Sequence, residues 1–193
     1  MQNQDNIKSI MQDNTGSNTK IYSEKIIFKS KFFKIKQVTL KRNGRKFTKD
    51  IIERSSIALI LPLTEKNEVY LVTQYRDALK KVSLEVIAGM MDKNETPLQA
   101  AKRELQEETG LTARNWIQIA TLNISANMIA EAHVFVARNL KEGVPNLDED
   151  EDIQTVKMHM KDAVKKALNG EIAITSNISA LLIADSLQKE GKL

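Results

Sequence analysis

The chain reads as an α/β protein: a mixed β-sheet sandwiched between helices, preceded by a small antiparallel β-meander. Three observations carry this. Apolar or alternating segments of strand length recur from Ile21 to His159. One sharply bounded helical segment interrupts them at Thr96–Gly110, and two more helical segments close the chain.

Taken in order, residues 1–20 are rich in Asn, Gln, Asp and Ser with little to bury, so a disordered or loosely ordered arm is expected. Residues 21–52 alternate as strands: IYSEKIIFKS, FFKIKQVTL and RKFTKDII. Asn43-Gly44 between the last two is a hairpin turn signal. Such a meander is marginal alone and needs a packing partner, its own domain or a second subunit. The main domain is expected over 53–193. It begins with SSIALILPLT, an apolar run suited to a central strand buried on both faces. EVYLVTQYR follows as a strand, then SLEVIAG as a short third one. After the helix come WIQIATLNI, a loop over Ser125–Ala130, AHVFVARNL, an acidic loop Leu147–Asp152 and IQTVKMH. Helices are expected over Lys161–Leu168, closed by Asn169-Gly170, and over about Asn177–Gln188, opened by Thr175 or Ser176.

Composition narrows the function classes. The chain has 193 residues, 41% of them hydrophobic, enough for one sizeable core. No apolar run approaches the roughly 18 residues of a membrane span. The amino terminus lacks a signal peptide's apolar core, so a cytoplasmic protein is expected. There are no cysteines and two histidines, His133 and His159, which makes a zinc site improbable; each reads as a surface strand residue. The net charge of +4 concentrates in residues 20–49. A nucleic-acid surface and a half-buried sheet with lysine on its wet face give that same pattern, and the sheet is preferred.

The central helix carries the chemistry. Thr96 is an N-cap, Pro97 suits the first helical position, Gln99 completes a capping box, and Gly110 supplies a left-handed stop. Leu98, Ala101 and Leu105 form an apolar stripe. Glu104, Glu107 and Glu108 then crowd its last turns, with Glu104 and Glu108 at i, i+4. Like charges at that spacing cost roughly 0.2–0.5 kcal/mol per pair, and the helix C-terminus favours cations. A solvated acidic face is the plain reading. The placement opposes both local rules, however, and a hard divalent cation taking carboxylate oxygens removes the conflict.

Gly89, Glu95, Arg103-Glu104-Leu105, Glu107-Glu108 and Gly110-Leu111 match every fixed position of the Nudix box, and the chain resembles Nudix hydrolases. The resemblance implies the Nudix fold and Mg²⁺-dependent (or Mn²⁺-dependent) cleavage of a pyrophosphate bond in a nucleoside diphosphate derivative. It implies metal ligation by Glu104 and Glu108, by Glu107 ligating or bridging, and by the backbone carbonyl of Ala88. Arg103 is expected to pair with a box glutamate and hold its rotamer. Ile52-Glu53-Arg54, Gln74-Tyr75-Arg76, Leu84-Glu85-Val86 and the acidic run Asp148–Asp152 resemble the ADP-ribose and nucleotide-sugar pyrophosphatase branch. In that branch the N-terminal strands help form a homodimer and complete the substrate site.

By the same resemblance Glu149 is expected as general base and Glu151 as a further metal ligand; a plain solvated loop is the alternative for this run. Glu131 is the competing base. Arg54 and Arg76 are candidates for phosphate or sugar, and Glu85 for nucleobase or ribose. Phe28, Phe33 or Phe47 would suit base stacking, and Trp116 reads as core. The branch's usual Ser-Pro-Gly is replaced here by Ser125-Ala126-Asn127, a departure that bears on ADP-ribose preference, and Ile87 stands where proline is frequent. The leading expectation is hydrolysis of ADP-ribose to AMP and ribose 5-phosphate. The alternatives are another Nudix substrate (GDP-mannose, a dinucleoside polyphosphate or an oxidised nucleoside triphosphate) and a non-catalytic nucleotide sensor; no membrane partner is expected.

Overall fold

Asn43 and Gly44 both take positive φ, 50° and 79°, as a two-residue hairpin turn of the primed kind requires. They join β2 (Phe33–Arg42) to β3 (Arg45–Arg54), paired antiparallel from Arg42↔Arg45 to Phe33↔Arg54. β1 (Lys20–Lys29) pairs with the other edge of β2, giving the expected meander. The computed structural model describes residues 19–147 and 152–193. They divide into two compact units, one running to Arg54 and including Ser125–Ile129, the other comprising Ser55–Ile124 and Ala130–Leu193.

In the first unit Lys36, Val38 and Leu40 share one buried face of β2. Lys36 reaches Glu53 at 2.6 Å and Glu24 at 2.9 Å, and Lys34 also pairs with Glu53. Burial by itself would raise the Glu53 pKa, but the two lysines outweigh it and hold the carboxyl below its usual range. A carboxyl lowered in the folded state adds stability above its unfolded pKa and loses it as pH falls through the folded value. The expected result is acid-labile melting of the wild type below about pH 4.5. Glu53→Gln should melt with a shallower dependence on pH there; identical slopes from pH 6 to 3 in thermal denaturation would refute it.

The Ser125–Ala130 segment, expected to be a loop, contains the short strand β9 (Met128–Ile129), which runs parallel to β3 through Ile52↔Met128. Its partner lies more than seventy residues away in the chain, so no local pattern shows the pairing.

The second unit holds two sheets. β4 (Ile57–Pro62) lies between β7 (Ile87–Met90), antiparallel, and β10 (Glu131–Lys141), parallel; β8 (Thr112–Asn123) completes the order β7-β4-β10-β8. The other sheet is β11-β5-β6, formed by β11 (Ile153–His159), β5 (Glu68–Arg76) and β6 (Lys81–Glu85). SLEVIAG is therefore not one strand. It divides at Val86 between the two sheets, with Val86 and Ile87 both fully buried in different core clusters.

Helix α1 (Pro97–Thr109) packs its Ala100, Ala101 and Leu105 with Ala58, Ile60, Phe135 and Ala137 on one face of the larger sheet. On the opposite face α2 (Met160–Leu168) and α3 (Thr175–Lys189) place Met160, Ala163, Ala180 and Leu181 with Leu59, Leu61, Val134 and Val136. β4 is thus buried on both sides, as its apolar run requires. Each of its large side chains contributes ~1.5–3 kcal/mol of burial, far above the few tenths that the α1 acids cost. Packing wins, and the acids are carried with it. Leu98, expected on the apolar stripe, is 37% exposed at the rim. No helix among the described residues is long and apolar enough to cross a membrane.

Candidate active site

α1 begins and ends as its sequence dictates. The Thr96 hydroxyl accepts from the Gln99 N–H at 3.3 Å, and the Gln99 side chain accepts from the Thr96 N–H at 2.9 Å. Gly110 takes φ 71° and donates its N–H to the Gln106 carbonyl at 2.8 Å. Between these caps Glu104 and Glu108 lie on the buried face, 9% and 6% exposed, so the solvated-face reading does not hold for them.

Arg103 gathers the surrounding acids. Its guanidinium donates to both Glu95 oxygens at 3.0 and 2.9 Å, to Glu104 Oε1 at 2.7 Å and to Glu107 Oε2 at 3.0 Å. It also donates to the Met90 carbonyl at 2.9 Å, which ties α1 to the end of β7. This planar fork suits several carboxylates at once. Arg103 holds the Glu95 carboxyl below its usual range, and the Asp92 N–H adds to that. Part of the charge conflict at this helix end is therefore answered by Arg103.

Gly89 explains the approach of β7. A Cβ built on it would overlap the Glu104 carboxylate, so only glycine lets that group lie against the strand. At the other end of α1 the Asn146 N–H donates to the Glu107 carbonyl at 2.9 Å. The 143–145 backbone lies against Gly110.

Glu131 opens β10, its N–H donating to Ser56 Oγ at 3.0 Å, while the Ser56 carbonyl accepts from Met91 at 2.9 Å. These bonds set the start of β10 and the exit of β7 on either side of Ser56, at the start of β4. Glu131 Oε2 is 3.7 Å from His133 Nε2. Arg76 and Glu85 meet on the smaller sheet as a two-pronged ion pair, Nε to Oε1 at 2.8 Å and Nη2 to Oε2 at 2.6 Å. Two residues expected to meet a ligand separately thus meet each other. Arg54 ends β3 in the first unit. Glu149 and Glu151 lie outside the described residues. Trp116, expected in the core, is half-buried and packs against it, edge-on to Phe135 at 6.3 Å, and Phe28 and Phe33 contact each other at 5.5 Å on the first unit.

A family model of the NUDIX domain matches residues 53–176. The chain belongs to the Nudix family. Its relatives include the ADP-ribose pyrophosphatase of Bacillus subtilis (strain 168), 32% identical over 162 residues, 79% of this chain and 88% of that protein. The methanol dehydrogenase activator of Bacillus methanolicus is 30% identical over 155 residues, 76% of this chain and 84% of that one. A crystal structure of an ADP compounds hydrolase superposes with TM-score 0.79 over 94% of this chain and 100% of that chain; at 20% identity this is a likeness of fold.

The Nudix residues fit a hard divalent cation. Two buried carboxylates one turn apart, with Glu104 seated in the space left by Gly89, supply the oxygen donors Mg²⁺ takes. Among the described residues no three acidic, histidine or cysteine side chains form a ready cage. Mg²⁺ commonly keeps several waters and takes one or two carboxylates, so a smaller protein set is in keeping with it. Sequence reasoning passed over His133 as a surface residue. Its strand parity with Phe135 and Ala137, both in the core beneath α1, was the available signal.

Proposed function

We propose that the chain is a Mg²⁺-dependent pyrophosphatase of nucleoside diphosphate sugars, acting on ADP-ribose to give AMP and ribose 5-phosphate. The observation that carries this is the set of buried box carboxylates on α1 in a chain similar over most of its length to an ADP-ribose pyrophosphatase. Mn²⁺ is expected to substitute. The residues that would hold the ion are Glu104, Glu108, Glu107 and the Ala88 carbonyl, with Glu151 as a further ligand. When bound, such a cation neutralises the pyrophosphate and lowers the pKa of water at the site.

The chain's own groups do the rest. Arg103 fixes the rotamers of Glu104 and Glu107, and Glu95 braces Arg103 in turn. Arg76, oriented by Glu85, presents a guanidinium suited to phosphate oxygens. Arg54 is proposed, from its sequence context, as a further group for phosphate or sugar. Glu149 is proposed as the base that takes the water proton, with Glu131 as the alternative.

Turnover of ADP-ribose, GDP-mannose, a dinucleoside polyphosphate and an oxidised nucleoside triphosphate, each with and without Mg²⁺, tests the reading. ADP-ribose should be cleaved fastest and only with metal. Preference for another member would replace the substrate, and binding without turnover would favour a sensor. Ser125-Ala126-Asn127 in place of Ser-Pro-Gly makes the panel the necessary arbiter.

A cytoplasmic homodimer is also proposed. Tyr22, Ile26, Phe28 and Phe32 are about half exposed or more, a run of apolar surface that a second meander would cover. Light scattering should give the mass of two chains, and a monomer would dismiss the idea.

A further inference from the structure

We propose that His133 is a positioning residue of this site: as its Nε2–H tautomer it takes hold of the Glu131 carboxylate when substrate is bound, while Gln118 fixes the ring from behind. The inference starts from a row of paired residues across the larger sheet. Thr121 on β8 faces His133 on β10, His133 faces Ala58 on β4, and Ala58 faces Gly89 on β7. Ala58 lies in the core cluster beneath α1, and His133 shares strand parity with Phe135 and Ala137 of that cluster. Two strand spacings separate His133 from Gly89, about 10 Å between backbones. The side chain between them is a single methyl group, and the Glu104 carboxylate lies against Gly89. The imidazole therefore shares the sheet face on which the Glu104 carboxylate lies, two strands away, its side chain 13% exposed.

The hydrogen bonds give the tautomer. Gln118 Nε2 donates to Thr121 Oγ1 at 2.9 Å, and the same nitrogen lies 3.4 Å from His133 Nδ1. An amide nitrogen can only donate, and the Thr121 hydroxyl, also 3.4 Å from Nδ1 and already accepting from Gln118, has its own proton left to donate; both neighbours suit Nδ1 as acceptor and a neutral ring with its proton on Nε2. Burial lowers the His133 pKa against the opposing pull of Glu131, which keeps the ring neutral at pH 7. Glu131 Oε2 then lies 3.7 Å from the Nε2 that carries the proton. That separation exceeds a hydrogen bond, and bonds of this kind tighten when substrate enters. Glu131 has a side chain 52% exposed and needs such a restraint to keep one direction.

The kinetic consequence rests on the pyrophosphatase reading and on Glu131 taking part in that reaction; the tautomer rests on neither. In ¹⁵N-histidine-labelled protein, with His159→Gln leaving His133 as the sole signal, the nitrogen shifts should show Nε2–H. Glu131→Gln should move the Nε2 resonance. An Nδ1–H pattern, or indifference to Glu131→Gln, would overturn the proposal. In turnover, His133→Leu should lower kcat about tenfold with KM little changed, and His133→Gln, which keeps a donor, should recover most of it. Wild-type kcat in His133→Leu, or no recovery in His133→Gln, would also overturn it. Absence of turnover in the wild type would instead remove the proposed function, and the nitrogen shifts would still decide this point.

Discussion

Replacing Glu108 by Gln is expected to lower kcat/KM for Mg²⁺-supported hydrolysis about a thousandfold, ~4 kcal/mol of transition-state stabilisation. The substitution changes one oxygen to nitrogen and leaves the volume of the buried side chain intact, so the fold should persist. What it removes is a negative oxygen donor, which a hard cation needs. Glu104→Gln should behave alike. It should also weaken the hold of Arg103, since Arg103 donates to Glu104 Oε1 at 2.7 Å. Circular dichroism unchanged beside collapsed turnover is the expected pair of results. Full activity in either variant would mean these carboxylates serve the helix and not the reaction.

Gly89→Ala is expected to be nearly as damaging for a different reason. The added Cβ would overlap the Glu104 carboxylate, and that group cannot withdraw freely because it is 9% exposed and held by Arg103. Overpacking of this kind costs typically 1–3 kcal/mol of stability. Displacing a ligand by about 1 Å can cost a further hundredfold in rate. A melting point lowered by several degrees together with a rate loss of that order is the expected result. Unchanged melting and turnover would show that Glu104 has room that its packing denies.

How much of this was legible in the sequence depends on range. The α1 segment was readable because its signals are local: Thr96, Gln99 and Gly110 all make the bonds their positions imply. The crowded glutamates were legible as a conflict, although the charge on Arg103 answers more of it than spacing alone suggested. Long-range pairing was not legible. SLEVIAG alternates like one strand, and nothing in it says that Lys81–Glu85 joins β5 while Ile87–Met90 joins β4. Met128–Ile129 looks like loop until β3 is beside it. Arg76 and Glu85 each looked aimed at a ligand because nothing local to either shows the side-chain ion pair that joins them across β5 and β6. His133 acquires its meaning only from the row Thr121–His133–Ala58–Gly89, assembled from four strands.

Titration of the metal-free protein with Mn²⁺, followed by electron paramagnetic resonance, tests the central assignment most directly. Wild type should bind Mn²⁺ saturably, and a Glu104→Gln, Glu108→Gln double variant of unchanged fold should leave the ion free in solution. Equal binding by both proteins would contradict the assignment of the α1 carboxylates as the cation site.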